Sequence, residues 1–235
     1  MAKIGMDYGH GGSDPGAVYS GRRESADVLR LGLAITDKLR AAGLTVGESR
    51  NGDTAVSLMQ RSRLSNERAD EYFLSIHRNA FRPETAKGAE VFVHPTASDD
   101  AVNLARSIQS ALTAVGFVDR GVKRANFYVL RETRAPAVLL EVGFVDNSED
   151  NDLFDREFDN IVSGVSQAVL THIGQSGLHV NKPSLQADLE VLCQHGILQS
   201  PAYWEQNATT GQTVRGDYVA VLIQRIAAYL RNLEN

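Results

Sequence analysis

Three short apolar runs in this chain each lead into an ionisable residue. Ala2 to Tyr8 runs into Gly9-His10, Tyr72 to Ile76 ends on His77, and Val138-Leu139-Leu140 ends on Glu141. Near-continuous apolar strands are buried on both faces, as central strands of an α/β sheet are. Helical patterns alternate with these runs, which predicts an α/β domain over roughly residues 1–174. Further strands are expected at Leu44 to Gly47 and Ala89 to His94.

Glu24 to Ala42 reads as a helix, because Val28, Leu31, Ile35 and Leu39 recur at helical spacing and Gly43 stops the run. Ser57 to Ala69 reads as a polar, Arg-rich helix. Ser98 to Val115 reads as a helix with Ser98 or Asp99 as cap and Gly116 as stop. Asp155 to Ile173 is expected to be one long amphipathic helix.

The pattern breaks at Gly174-Gln175-Ser176-Gly177 and Lys182-Pro183, so a linker is expected at 175–183. Residues 184–235 then read as a small all-α domain. It has a helix capped by Ser184, the segment Ser200-Pro201-Ala202-Tyr203-Trp204, and a last helix from Asp217 to Arg231. A module this small buries little core alone, so docking or self-association as a homo-oligomer is expected. Tyr203-Trp204 is either a sugar-stacking pair or the core anchor of this module.

In open α/β sheets, ligands bind beyond the carboxyl ends of the strands. His10, His77 and Glu141 sit at three such ends and would converge there. Four glycines in Gly9-His10-Gly11-Gly12-Ser13-Asp14-Pro15-Gly16 let the backbone turn sharply around His10. A phosphate loop is excluded, because no Gly-Lys-Ser/Thr follows. Glu24 opens a helix, where a carboxylate suits the N-terminal dipole with no further role. Two imidazoles and a carboxylate would leave a fourth zinc position open for water, making His10, Glu24 and His77 candidate Zn²⁺ ligands. A carboxylate behind Val-Leu-Leu is costly to bury unless paired or metal-linked, and a raised pKa there would suit a proton shuttle. Ordinary structural roles for His10, His77 and Glu24 stay open on spacing alone.

Other chemistries find less support. There is no Gly-x-Ser-x-Gly elbow. Cys193 fits the apolar stripe of its helix, and as the single cysteine it excludes an internal disulfide. A net charge of −5 gives no electrostatic footprint for nucleic acid or anionic membrane. No secretory leader or bilayer-spanning stretch is visible, so synthesis in a cytoplasm without a signal peptide is expected.

Asp7-Tyr8-Gly9-His10-Gly11-Gly12-Ser13-Asp14-Pro15-Gly16-Ala17, then Glu24, then Ser75-Ile76-His77-Arg78-Asn79-Ala80, then Leu140-Glu141-Val142-Gly143-Phe144-Val145-Asp146-Asn147 resembles the zinc-dependent N-acetylmuramoyl-L-alanine amidases of the amidase-3 family. Glu24 is followed by Ser25-Ala26-Asp27, where family members often carry Lys-Asp. The resemblance implies a mixed, mostly parallel six-stranded sheet flanked by helices. It implies cleavage of the peptidoglycan amide between N-acetylmuramic acid and L-alanine, with His10, Glu24 and His77 as zinc ligands and Glu141 as the catalytic glutamate. Asn79 and Asn147, beside these motifs, become candidates for substrate or supporting hydrogen bonds. Arg131 becomes a candidate for a bidentate contact to a stem-peptide carboxylate. A purely structural role fits each of these three equally well.

The C-terminal segment resembles helical modules of clostridial and bacillar phage lysins, which implies binding of a secondary cell-wall polymer or self-association. Together these readings describe a phage or prophage endolysin, made in the host cytoplasm and acting on the wall after release. The alternatives are a mother-cell autolysin of a spore former, a zinc peptidase cutting within the stem peptide, and a non-catalytic wall-binding protein.

Overall fold

A computed structural model of the chain describes residues 2–175, 185–207 and 214–233. Its contacts divide the chain into two units, Met1–Val180 and Asn181–Asn235. Most of the expected linker, including Lys182-Pro183, and the expected cap Ser184 lie outside the described residues.

The first unit opens with β1 (Lys3–Tyr8), a short hairpin of β2 (Val18–Tyr19) and β3 (Arg22–Arg23), and α1 (Glu24–Ala41). β4 (Thr45–Glu48), α2 (Leu58–Arg68), β5 (Tyr72–Asn79), β6 (Ala89–Val93) and α3 (Asp99–Val115) follow. β7 (Asp119–Arg124), α4 (Tyr128–Glu132), β8 (Ala137–Phe144), α5 (Ser148–Arg156) and α6 (Phe158–Gln175) complete it. Six strands form one sheet in the order β4-β1-β5-β8-β6-β7. β4, β1, β5 and β8 are mutually parallel, and β6 runs antiparallel to β8 while pairing parallel with β7. The mixed, mostly parallel six-stranded sheet flanked by helices is therefore present.

The alternation of side chains along each strand divides the sheet's two faces by chemistry. Tyr72, Leu74, Ile76, Val138, Leu140 and Val142 point into the main core against α1, α3 and α6. On the opposite face Phe73, Ala137 and Leu139 pack with Val129 and Leu130 of α4. Continuing along that second face, β5 carries Ser75 and His77, and β8 carries Glu141. The polar site thus grows out of the same period-2 register that builds the core.

Local signals fix the helix ends. Ser57 and Gln60 form a reciprocal capping box at α2, and Ser98 accepts from Ala101 N at 3.3 Å to cap α3. The helix expected over Asp155 to Ile173 is two helices, broken at Glu157 between α5 and α6. Asn147 caps α5 by accepting from Asp150 N at 3.0 Å, so this helix starts at Ser148 and Asp155-Arg156 are its last residues rather than the first of α6.

In the second unit, α7 (Leu185–Gln194), α8 (Pro201–Asn207) and α9 (Gly216–Leu233) are present. Leu189, Leu198 and Trp204 form its buried centre, with Tyr203 stacked on Tyr218 at 4.1 Å between ring centroids. Trp204 is the core anchor of this unit, and Cys193 packs against the same cluster.

Candidate metal centre

His10, Glu24 and His77 come from three separate elements and meet at one point. Each offers one ligand atom, and these atoms lie within 4.8 Å of one another. His10 Nε2 is 3.1 Å from Glu24 Oε2, and His77 Nδ1 is 3.0 Å from Glu24 Oε1. The two imidazoles meet edge to face, with centroids 5.0 Å apart. Glu24 is the first residue of α1 and is buried, so its carboxylate faces the histidines rather than water.

The backbone is shaped for this convergence. His10 sits at φ +59°, a left-handed conformation uncommon for a residue with a side chain. A Cβ on Gly9 would lie 2.3 Å from the His77 ring, and one on Gly16 would lie 2.6 Å from Glu24 Oε2. Only glycine leaves room for the three side chains at these two positions.

Buried arginines hold the scaffold behind the site. Arg61 of α2 donates to Asp7 Oδ1 at 2.6 Å, to Tyr8 O at 2.6 Å and to His10 O at 2.7 Å. Arg50 donates to Tyr8 O, Gly9 O and Ser25 O, each at 2.8 Å. The carbonyls at the end of β1 and the start of α1 are thereby tied together, which fixes where His10 and Glu24 stand. Ser75 Oγ donates to Asp7 Oδ2 at 2.6 Å beneath them.

The electrostatics follow from burial and charge. Burial pushes the Glu24 carboxyl up, but hydrogen bonds and charge from His10 and His77 outweigh it and hold the group well below the usual range. Burial pushes His10 down, yet Glu24 and Asp14 leave its imidazole raised. The cluster is an anion between two imidazoles, an arrangement suited to a divalent cation in place of the shared protons.

Glu141 stands on the next strand, in register with His77. Burial pushes its carboxyl well up, and the nearby charges of Glu24 and Glu90 push it further. Its Oε2 is buried with no hydrogen-bond partner among the described residues. A buried acceptor without a partner is costly, and active sites are where such groups are kept.

The family model described as N-acetylmuramoyl-L-alanine amidase matches residues 4–171. This chain belongs to that amidase family. It is 43% identical over 154 residues to the N-acetylmuramoyl-L-alanine amidase CwlM of Bacillus licheniformis, covering 64% of this chain and 59% of that one. It is 40% identical over 153 residues to the sporulation-specific N-acetylmuramoyl-L-alanine amidase of Bacillus subtilis strain 168, again covering 64% and 59%. The matches thus span about three-fifths of these curated relatives. Among solved structures, the N-acetylmuramoyl-L-alanine amidase from Clostridium difficile 630 superposes with a TM-score of 0.72 at 33% identity, covering 75% of this chain and 98% of that one.

Within this amidase domain the other expected contacts fall in different places. Asn79 donates to Glu90 Oε1 at 2.6 Å, on the Glu141 side of the site. Asn147 is buried and spends its side-chain oxygen on capping α5. Arg131 is exposed and donates to Glu132 Oε1 at 2.8 Å and Asn126 Oδ1 at 3.1 Å. The structure therefore brings His10, Glu24, His77 and Glu141 together, with Asn79 near them through Glu90, and gives Asn147 a capping role.

Sequence reasoning missed Asp14, Arg50, Arg61 and Glu90. Asp14 Oδ2 accepts from His10 Nδ1 at 2.8 Å, which turns Nε2 toward Glu24. Its signal was a carboxylate four residues after His10 in a glycine-rich loop. Glu90 had a clearer one, a carboxylate set among Ala89, Val91 and Val93 in an apolar strand.

Proposed function

We propose that this chain is a zinc-dependent hydrolase of the amide between N-acetylmuramic acid and L-alanine in peptidoglycan. The observation that carries the reading is the convergence of the His10, Glu24 and His77 ligand atoms within 4.8 Å, with Glu141 in register one strand away. The donor set fits Zn²⁺: two imidazoles and one carboxylate, an open position for a further ligand, and a carboxylate oriented on His10 from behind. When bound, the ion supplies Lewis acidity, which polarises a carbonyl oxygen and acidifies water.

Glu141 does the proton work. Its burial and anionic neighbours raise its proton affinity, so it can take a proton from the attacking water and hold it. It then returns that proton to the nitrogen of L-alanine as the C–N bond breaks. The fixed carbonyls around Arg50 and Arg61 keep His10 and Glu24 placed while this occurs.

Mass spectrometry of digested peptidoglycan tests the bond. The reading expects a free lactyl carboxyl on muramic acid and a new N-terminal L-alanine. A new amine inside the stem peptide would instead make the chain a zinc peptidase.

In this reading the enzyme serves as a phage or prophage endolysin, acting at the wall after release, with the second unit binding a secondary cell-wall polymer. The similarity to a sporulation-specific amidase favours a second setting, lysis by the mother cell of a spore former. Transcript timing separates them: induction with late phage genes supports the first, and induction in the sporulating mother cell supports the second.

A further inference from the structure

Beyond Glu141 the same face of the sheet carries a second charged group. Glu90 on β6 is the register partner of Glu141 and is only 4% exposed. Its Oε1 accepts from Asn79 Nδ2, and its Oε2 accepts from Arg120 Nε at 2.9 Å and from Lys123 Nζ. Both cations belong to β7, the edge strand. Lys123 pairs in register with Phe92, two residues along β6 from Glu90 and therefore on the same face. His77, Glu141, Glu90 and Lys123 thus make a row across four adjacent strands, β5, β8, β6 and β7.

At the Glu90 end of this row the charge does not balance: one carboxylate, Glu90, holds two cations, Arg120 and Lys123, so that group of three is left with one positive charge. Both cations are fixed at the Glu90 end and partly open to water, with side chains 32% exposed for Arg120 and 41% for Lys123. Lys123 Nζ keeps donors beyond the one given to Glu90, and so does the Arg120 guanidinium. Charged side chains commonly blunt an edge strand, and that would explain one of them on β7. It does not explain two cations drawn onto one buried carboxylate beside the proton-transfer residue. Side chains already held in place lose little freedom when they bind an anion.

The row also has a direction. The metal ligands lie at its β1–β5 end and Glu141 lies next. In the amidase reading the departing amine lies beside Glu141, and a peptide behind it that runs along the row away from the metal ligands meets Glu90 and β7. Two strand spacings place the β7 backbone roughly 10 Å from that of β8, and the Lys123 head group leans back toward Glu90. Two extended residues span about 7 Å, so the second residue of a stem peptide reaches this point.

We propose that Arg120 and Lys123, positioned by Glu90, form a subsite for the free carboxylate on the second residue of the stem peptide, beside L-alanine. This rests on the amidase reading for the choice of substrate. A stem whose second residue carries a carboxamide in place of the carboxylate is the poorer ligand, because it offers no charge to the surplus cation.

Titration calorimetry of the full chain with two free stem peptides, differing only in carboxylate or carboxamide at the second residue, tests this without turnover. The acid is expected to bind about 10-fold more tightly than the amide, as one charge-assisted contact on a partly exposed cation provides. Lys123→Met should reduce that ratio to near one, and Lys123→Arg should restore it. Equal binding of the two peptides by the unaltered chain would overturn the proposal, as would a preference that survives Lys123→Met. Because binding of free peptide needs no cleavage, a failure here is distinct from a failure of the amidase reading, which the product analysis decides.

Discussion

Replacing Glu141 with Gln keeps the volume of the side chain and removes its charge and its proton. Two consequences follow, in opposite directions. A positioned general base contributes about 10²–10⁴-fold in rate, so turnover should fall by that much. Bound zinc should stay, because the ligand atoms belong to His10, Glu24 and His77. Stability of the metal-free protein should rise. The Glu141 carboxyl is raised in the folded state by burial and by the charges of Glu24 and Glu90, from an ordinary value of 4.5. Below that value the group is protonated in both folded and unfolded chains and contributes no difference. Above it the unfolded chain releases the proton while the native protein still binds it, so stability falls with rising pH until the folded carboxyl ionises as well. Gln escapes this penalty. An unpaired buried polar group costs about 1–3 kcal/mol, and more if charged, so a gain of at least about 1 kcal/mol is expected at pH 8. For a domain of this size that corresponds to roughly 2–4 °C in melting temperature. The assay is dye release from labelled peptidoglycan, alongside thermal melts in chelator at pH 4 and pH 8. The two proteins should converge at pH 4 and separate at pH 8. A variant that keeps more than a tenth of its turnover, or melts below the parent at pH 8, would refute the placement of a buried, charged base at Glu141.

Asp14→Ala should weaken zinc affinity by about 10–100-fold while leaving the fold intact, since it frees the far nitrogen of His10; competition with a chromogenic chelator measures this. Arg61→Leu leaves Asp7 buried without its cation, takes the Arg61 donor from His10 O and leaves Tyr8 O with Arg50 alone, and should cost about 3–5 kcal/mol in urea unfolding. Asp155 joins α5 to Arg22 and Arg30, and the hydrogen bond from Arg22 leads in holding its carboxyl down to about 2. This stability is present above the unfolded value near 3.8 and is lost as pH falls through about 2. Asp155→Asn should therefore lower stability at pH 7 by no more than about 1 kcal/mol, since the Asp155 carboxylate is half exposed and screened, and match the parent at pH 2.

The parts of this fold that sequence reveals are those whose reasons are local. Val138-Leu139-Leu140 announces a central strand, and a carboxylate behind it announces a site, because burial and polarity conflict within four residues. α1 and α3 carry their apolar stripes and stops in plain view. β7 is different: Asp119-Arg120-Gly121-Val122-Lys123-Arg124 has no apolar alternation, because an edge strand buries little and its charges are used on Glu90. The β2–β3 hairpin has two residues per strand, too few for any period to register. Asn147 lies beside the Glu141 motif, which leaves substrate contact and structural role equally open; its oxygen caps α5, a bond that shows only when Asp150 N is placed. Arg50 and Arg61 could not be read at all. Most of their partners are backbone carbonyls more than 20 residues away, and carbonyls leave no mark on a sequence.

The most direct test of the metal centre is the zinc content of the purified full chain and of its His77→Ala variant, measured by elemental mass spectrometry. The account predicts one zinc per chain in the parent and none in the folded variant. Zinc retained at one per chain after His77→Ala, or a parent that is fully active without zinc, would contradict it.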